Sequence, residues 1–136
     1  MHVPFCPSHC VYCSFPSAIL HSGRRLDTYT EALASDVAAA GALIRKQQLT
    51  VQSLYMGGGT PTILTPAQMD TVLTAVDANI PMGHVLEKTI EAGRPDTISE
   101  SMLKVLADRP DFSQSTDHAG SDPPFDFPFS FSHVSA

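Results

Sequence analysis

Three cysteines fall within eight residues. Cys6, Cys10 and Cys13 have the spacing C-x3-C-x2-C, and the chain has no other cysteine. Thiolates are soft ligands that suit iron–sulfur clusters and zinc. A four-iron cluster normally takes four protein thiolates. Three of them leave one iron open, and an open iron can bind a substrate or cofactor. Structural zinc wants four closed ligands, and His9 or His2 could supply the fourth. Three free thiols with no metal is the remaining reading. An odd, clustered set does not make a disulfide framework. Met1-His2-Val3-Pro4 has neither the basic n-region nor the apolar h-region of an export signal. The cysteines therefore point to metal or redox chemistry in the cytoplasm.

Two other loops are unusual: Gly57-Gly58-Gly59-Thr60-Pro61 and Glu91-Ala92-Gly93-Arg94-Pro95. Their placement follows from the elements around them. Val51 to Met56 is a short β-rich apolar run, ended by the glycines. Val85 to Glu91 reads as another strand. A first helix is expected from about Thr28, with Glu31 completing a capping box. Its apolar face is Leu26, Tyr29, Leu33, Val37, Ala40 and Ile44. The Ala38-Ala39-Ala40 cluster suggests close helix packing. A second helix starts at Thr65-Pro66-Ala67-Gln68, with an N-cap, a proline at the first position and Gln at the third. Leu64 and Met69 form a staple across that cap, and Met69, Val72, Leu73, Val76 and Ile80 form the buried stripe. Ser99 or Thr97 caps a third helix with Met102, Leu103 and Leu106 inward.

Strands alternating with helices imply right-handed crossovers and a parallel sheet. Ligands in such folds sit beyond the C-terminal strand ends. The cysteine, glycine and Glu91 loops each fall at one of those ends, so all three should converge on one face. About three strand–helix units cannot close an eight-stranded barrel of about 250 residues. The fold class is therefore α/β with an incomplete parallel (β/α) barrel.

Composition narrows the function classes. Apolar residues make up 43% of the 136, enough for a core, and no apolar run approaches the roughly 18 residues that span a bilayer. A formal charge of −6 argues against nucleic-acid and anionic-membrane partners. Half of that charge lies in residues 109–136, which hold one Arg and four Asp. This segment has no Leu, Ile or Met and is dense in Ser, Pro, Asp and Phe. It reads as a low-complexity, disordered tail after a core of residues 1–108. His21, His84, His118 and His133 lack ligand spacing and read as surface residues. Arg24-Arg25 reads as a solvated loop pair.

Three stretches carry a family resemblance: His2 to Phe15, Leu54 to Thr62, and Thr89 to Thr97. In these the chain resembles the N-terminal part of a radical S-adenosylmethionine (SAM) enzyme. It is similar to the oxygen-independent coproporphyrinogen III oxidase group, and the Gly93-Arg94-Pro95 loop favours its HemZ-type coproporphyrinogen dehydrogenase branch. The likeness covers residues 2 to about 108. Phe15 stands where some relatives carry a further cysteine. The later strands and the substrate domain of the family have no counterpart here, so a truncated copy or a frame shift near residue 109 is expected.

The resemblance implies roles. Cys6, Cys10 and Cys13 would hold a [4Fe-4S] cluster whose open iron is chelated by SAM. Tyr12 resembles the aromatic position beside the adenine, although a core role is equally open. Gly57, Gly58 and Gly59 would let the backbone approach SAM, with Thr60 and Pro61 shaping the turn. Glu91 would pair with the SAM ammonium or ribose hydroxyls. Arg94 is open between the SAM carboxylate, a substrate propionate and a structural loop salt bridge. The implied reaction is radical removal of a propionate β-hydrogen, loss of carbon dioxide and departure of one electron. Two rounds convert coproporphyrinogen III to protoporphyrinogen IX. The implied partners are a porphyrinogen substrate and a low-potential electron donor such as flavodoxin or ferredoxin. The alternatives are a haem chaperone of the same fold and a non-catalytic zinc-binding α/β module.

Overall fold

A computed structural model describes residues 1–21, 23–109 and 113–115. The strands are β1 (His2–Val3), β2 (Phe5–Cys6), β3 (Ala18–Ile19), β4 (Ser53–Gly58), β5 (Glu87–Glu91) and β6 (Ser113–Ser115). The helices are α1 (Arg24–Lys46), α2 (Pro66–Asn79) and α3 (Glu100–Ala107). Short 3-10 turns at Pro61–Ile63 and Pro95–Thr97 follow β4 and β5. One sheet has the order β1-β4-β5-β6, a second pairs β2 with β3, and every pairing is parallel. The α/β parallel class and the strand–helix alternation are as the sequence implies.

The core lies between the main sheet and the helices. Val3, Met56 and Ile90 from the strands meet Leu26, Met69, Val72, Leu73, Met102 and Leu106 from the helices, all buried. The α2 cap is the expected capping box. Thr65 Oγ1 accepts from the Gln68 amide at 3.2 Å, and Gln68 Oε1 accepts from the Thr65 amide at 2.8 Å. This satisfies amides that the first turn leaves without partners. Leu64 and Met69 are both in the core cluster. Ser99 caps α3 by accepting from the Met102 amide. Ile80 and Leu103 are only half-buried.

The first helix departs from expectation. It starts at Arg24, four residues before Thr28, with Gly23 at the cap and no side-chain cap bond. Thr28 lies inside the helix and donates back to the Arg24 carbonyl at 3.4 Å. The capping-box spacing was a coincidence of a threonine and a glutamate within one turn. Ala40 is exposed. The close approach lies one residue on, at buried Gly41, where an added Cβ would sit 2.3 Å from the Asn79 carbonyl oxygen at the end of α2. Arg24 and Arg25 are the first turn of α1 rather than a loop, and the Arg25 guanidinium carbon lies 5.9 Å from the centroid of the Phe5 ring.

Arg109 and residues 113–115 are the part of the expected tail that the structure describes. Arg109 bonds Asp70 Oδ1 at 2.8 Å and also pairs with Asp77, so it is tied to α2. Residues 113–115 form β6 beside β5, where composition implies no strand. Backbone pairing needs no apolar side chains, which is why Ser113-Gln114-Ser115 gave no signal. The rest of the expected tail, 110–112 and 116–136, lies outside the described residues, with His118 and His133.

Candidate functional site

One cavity of about 360 Å³ collects the residues that the sequence singles out. Cys6, Cys10, Tyr12 and Cys13 line one wall, Gly57 to Pro61 another, and Glu91, Gly93 and Arg94 a third. The volume is in the range of small-molecule sites. Parallel pairing sets this convergence. β1, β4 and β5 run the same way, and β2 follows β1 after a single residue, so the loops after β2, β4 and β5 meet at one cavity.

The glycine wall is built by the sheet. Gly57 and Gly59 amides donate to the Met1 and Val3 carbonyls at 3.1 and 2.7 Å. Gly58 has φ +114°, a region that side chains rarely adopt. A Cβ there would lie 2.5 Å from His2 Nδ1, and one on Gly57 would lie 2.7 Å from Glu91 Oε2. The absence of side chains therefore keeps both the backbone geometry and the cavity open. Buried Thr60 donates to Cys6 Sγ at 3.4 Å and ties this wall to the first cysteine.

Glu91 is half-buried at the end of β5. Its Oε2 accepts from the Gly58 amide at 3.2 Å, and its Oε1 accepts from the Tyr55 hydroxyl. Two donors hold the carboxylate at the cavity wall. Sequence reasoning missed Tyr55. The signal was the strand period of two, which puts Tyr55 and Gly57 on one face of β4. Reading Val51–Met56 as a continuous apolar run hid it. Ser8 and the proximity of His2 to Gly58 were missed too, because they depend on contacts between distant segments.

The cysteine wall is more open. Cys6 is buried, Cys10 half-buried and Cys13 exposed. Tyr12 is three-quarters exposed, which excludes the core alternative for it. A hydrogen bond to Cys10 is the main cause that raises its phenol above the ordinary value. Arg94 lies against the cysteine loop: it donates to Ser8 Oγ at 3.0 Å, the Ser8 carbonyl at 2.8 Å and Cys10 Sγ at 2.7 Å. His21 and His84 are exposed, as expected of surface residues.

The donor set is chemically suited to an iron–sulfur cluster: three soft thiols line one cavity, with the glycine backbone beside them. Among the described residues, no three of His, Cys, Asp and Glu converge closely enough to hold one metal ion. A closed zinc site needs four ligands on one centre.

The sequence model of the radical SAM superfamily matches residues 1–116. The chain is 38% identical over 106 residues to the oxygen-independent coproporphyrinogen-III oxidase-like protein HemZ of Bacillus subtilis, covering 76% of this chain and 21% of that relative. It is 36% identical over 107 residues to the heme chaperone HemW of Lactococcus lactis, covering 79% of this chain and 26% of that relative. Among solved structures, coproporphyrinogen III oxidase (HemN) of Escherichia coli, a radical SAM enzyme, superposes with a TM-score of 0.68. The identity there is 26%, covering 84% of this chain and 26% of the other. The chain belongs to the radical SAM superfamily, whose members use a [4Fe-4S] cluster and SAM. Its relatives include coproporphyrinogen oxidases, heme chaperones and an anaerobilin synthase. The chain spans about a quarter or less of the length of these relatives.

Proposed function

We propose that these residues form the cluster- and SAM-binding part of a coproporphyrinogen dehydrogenase of the HemZ type. The observation that carries the reading is the single cavity shared by the cysteine, glycine and Glu91 loops. Cys6, Cys10 and Cys13 hold the cluster. Gly57, Gly58 and Gly59, with Thr60, give the backbone surface on which the methionine part of SAM lies. Glu91, already fixed by Tyr55 and Gly58, accepts from its ammonium or hydroxyl groups. Tyr12, exposed beside Cys10, offers an aromatic face to the adenine. When bound, the cluster and SAM supply an electron and a hydrogen-abstracting radical. The substrate is a porphyrinogen propionate, which loses a β-hydrogen, carbon dioxide and one electron to become a vinyl group. A low-potential donor such as flavodoxin or ferredoxin supplies the reducing electron. The reading places the protein in the cytoplasm, and among the described residues no helix is long and apolar enough to cross a membrane.

The Lactococcus relative supports a second reading, a heme chaperone that keeps the cofactor site without this decarboxylation. Haem binding by the reconstituted chain separates them: its absence supports the dehydrogenase reading. The chain is reconstituted anaerobically, reduced, and supplied with SAM, then separately with coproporphyrinogen III or haem. Reductive SAM cleavage supports the shared cofactor site. Stoichiometric haem binding favours the chaperone. Substrate positioning and water exclusion come largely from segments beyond this quarter of the relatives' length. Slow, uncoupled SAM cleavage is therefore expected from these residues by themselves, with no protoporphyrinogen IX.

A further inference from the structure

We infer that Arg94 is a positioning residue that also sets the reduction potential of the cluster on Cys6, Cys10 and Cys13. The inference rests on the cluster assignment proposed above. Arg94 stands in the loop after β5, 84 residues from Cys10, yet its guanidinium reaches the cysteine loop with three contacts. Two fall on Ser8 and fix the backbone that precedes Cys10. The third falls on the Cys10 sulfur itself. The arginine is held from behind: Thr97 Oγ1 donates to the Arg94 carbonyl at 2.9 Å and meets Thr62 Oγ1 at 2.6 Å, in the turn after the glycines. Arg94 therefore joins all three loops of the cavity. One guanidinium nitrogen lies 2.7 Å from the Cys10 sulfur, so the positive charge sits directly on that ligand.

The electrostatic consequence has a definite sign. Reduction adds one electron, and thus one negative charge, to the cluster. A fixed cation that donates to a ligand sulfur stabilises the reduced form more than the oxidised form. Hydrogen bonds to the sulfurs are among the factors that set cluster potentials, and bonds to charged groups are the stronger kind. A planar fork bonding two atoms of Ser8 and one of Cys10 is geometry that lysine cannot reproduce.

The test is an EPR-monitored redox titration, with dithionite as reductant, on the anaerobically reconstituted wild type, Arg94→Lys and Arg94→Gln. It is run without SAM, so a role in holding SAM would not move the result. Arg94→Gln is expected to keep iron and sulfide while its reduced-to-oxidised ratio at fixed potential falls about tenfold, which is a potential about 59 mV lower. Arg94→Lys should fall between the two. If Arg94→Gln fails to take up a cluster, Arg94→Lys decides, and a lowered potential supports the inference. Wild-type potentials in the cluster-bearing variants overturn it. A wild-type chain that assembles no iron–sulfur cluster overturns the cluster assignment, and this inference with it; the two failures are distinguishable by iron and sulfide content alone.

Discussion

The helical layer and the cysteine loop are held by different means. α2 is capped at its start, buries Met69, Val72, Leu73 and Val76, and touches α1 so closely that Gly41 has no space for a side chain. The cysteine loop, between β2 and β3, exposes Val11, Tyr12 and Phe15. Its anchors are the two short strands, a Cys13-to-Cys10 turn at 3.1 Å and the Arg94 fork. One region is built by burial and the other by a few polar contacts around thiols. Metal binding couples to local folding because the ligand set must be assembled to be used. That coupling is confined to the cysteine loop, so substitutions in the helical layer should change fold stability without changing the cluster-holding residues.

That separation can be broken or sharpened by substitution. The largest loss should follow Met69→Ala, which removes a fully buried side chain from the core. Urea unfolding should show a loss of about 2–5 kcal/mol. Iron bound per folded molecule should stay at the wild-type value. A smaller loss, about 1–3 kcal/mol, is expected for Gly41→Ala. The new methyl meets backbone, which cannot swing aside as a side-chain end can. An unchanged midpoint would mean that α1 and α2 slide apart at no cost.

Thr65→Ala should cost about 1 kcal/mol by removing half of the capping box. At the other region, Tyr12→Ala should leave the unfolding midpoint within about 0.5 kcal/mol of wild type, because the ring is exposed. The same substitution should weaken SAM binding, measured by calorimetry on the reconstituted protein. A large stability loss with unchanged SAM affinity would reverse the comparison for this residue.

The legible parts of the molecule were those that depend on local chemistry. Thr65, Gln68 and the Met69 stripe are written in neighbouring residues, so α2 could be read with its cap. The three walls of the cavity followed from strand–helix alternation, which fixes where the loops emerge. The start of α1 was misread because Gly23 gives no cap signal and Thr28 gives a false one. β6 was missed because its pairing is made by backbone alone. Tyr55 on Glu91 and Arg94 on Ser8 and Cys10 join residues 36 to 86 positions apart, and a single sequence carries no record of such pairs.

The central claim is that Cys6, Cys10 and Cys13 hold an iron–sulfur cluster with one open iron. It is tested most directly by anaerobic reconstitution of the wild type and Cys10→Ala, followed by iron and sulfide analysis and EPR of the reduced samples with and without SAM. The account predicts a brown wild-type protein whose EPR signal changes when SAM is added, and a Cys10→Ala variant with neither chromophore nor signal. Equal iron and sulfide in the two proteins, or zinc retained in place of iron, would contradict it.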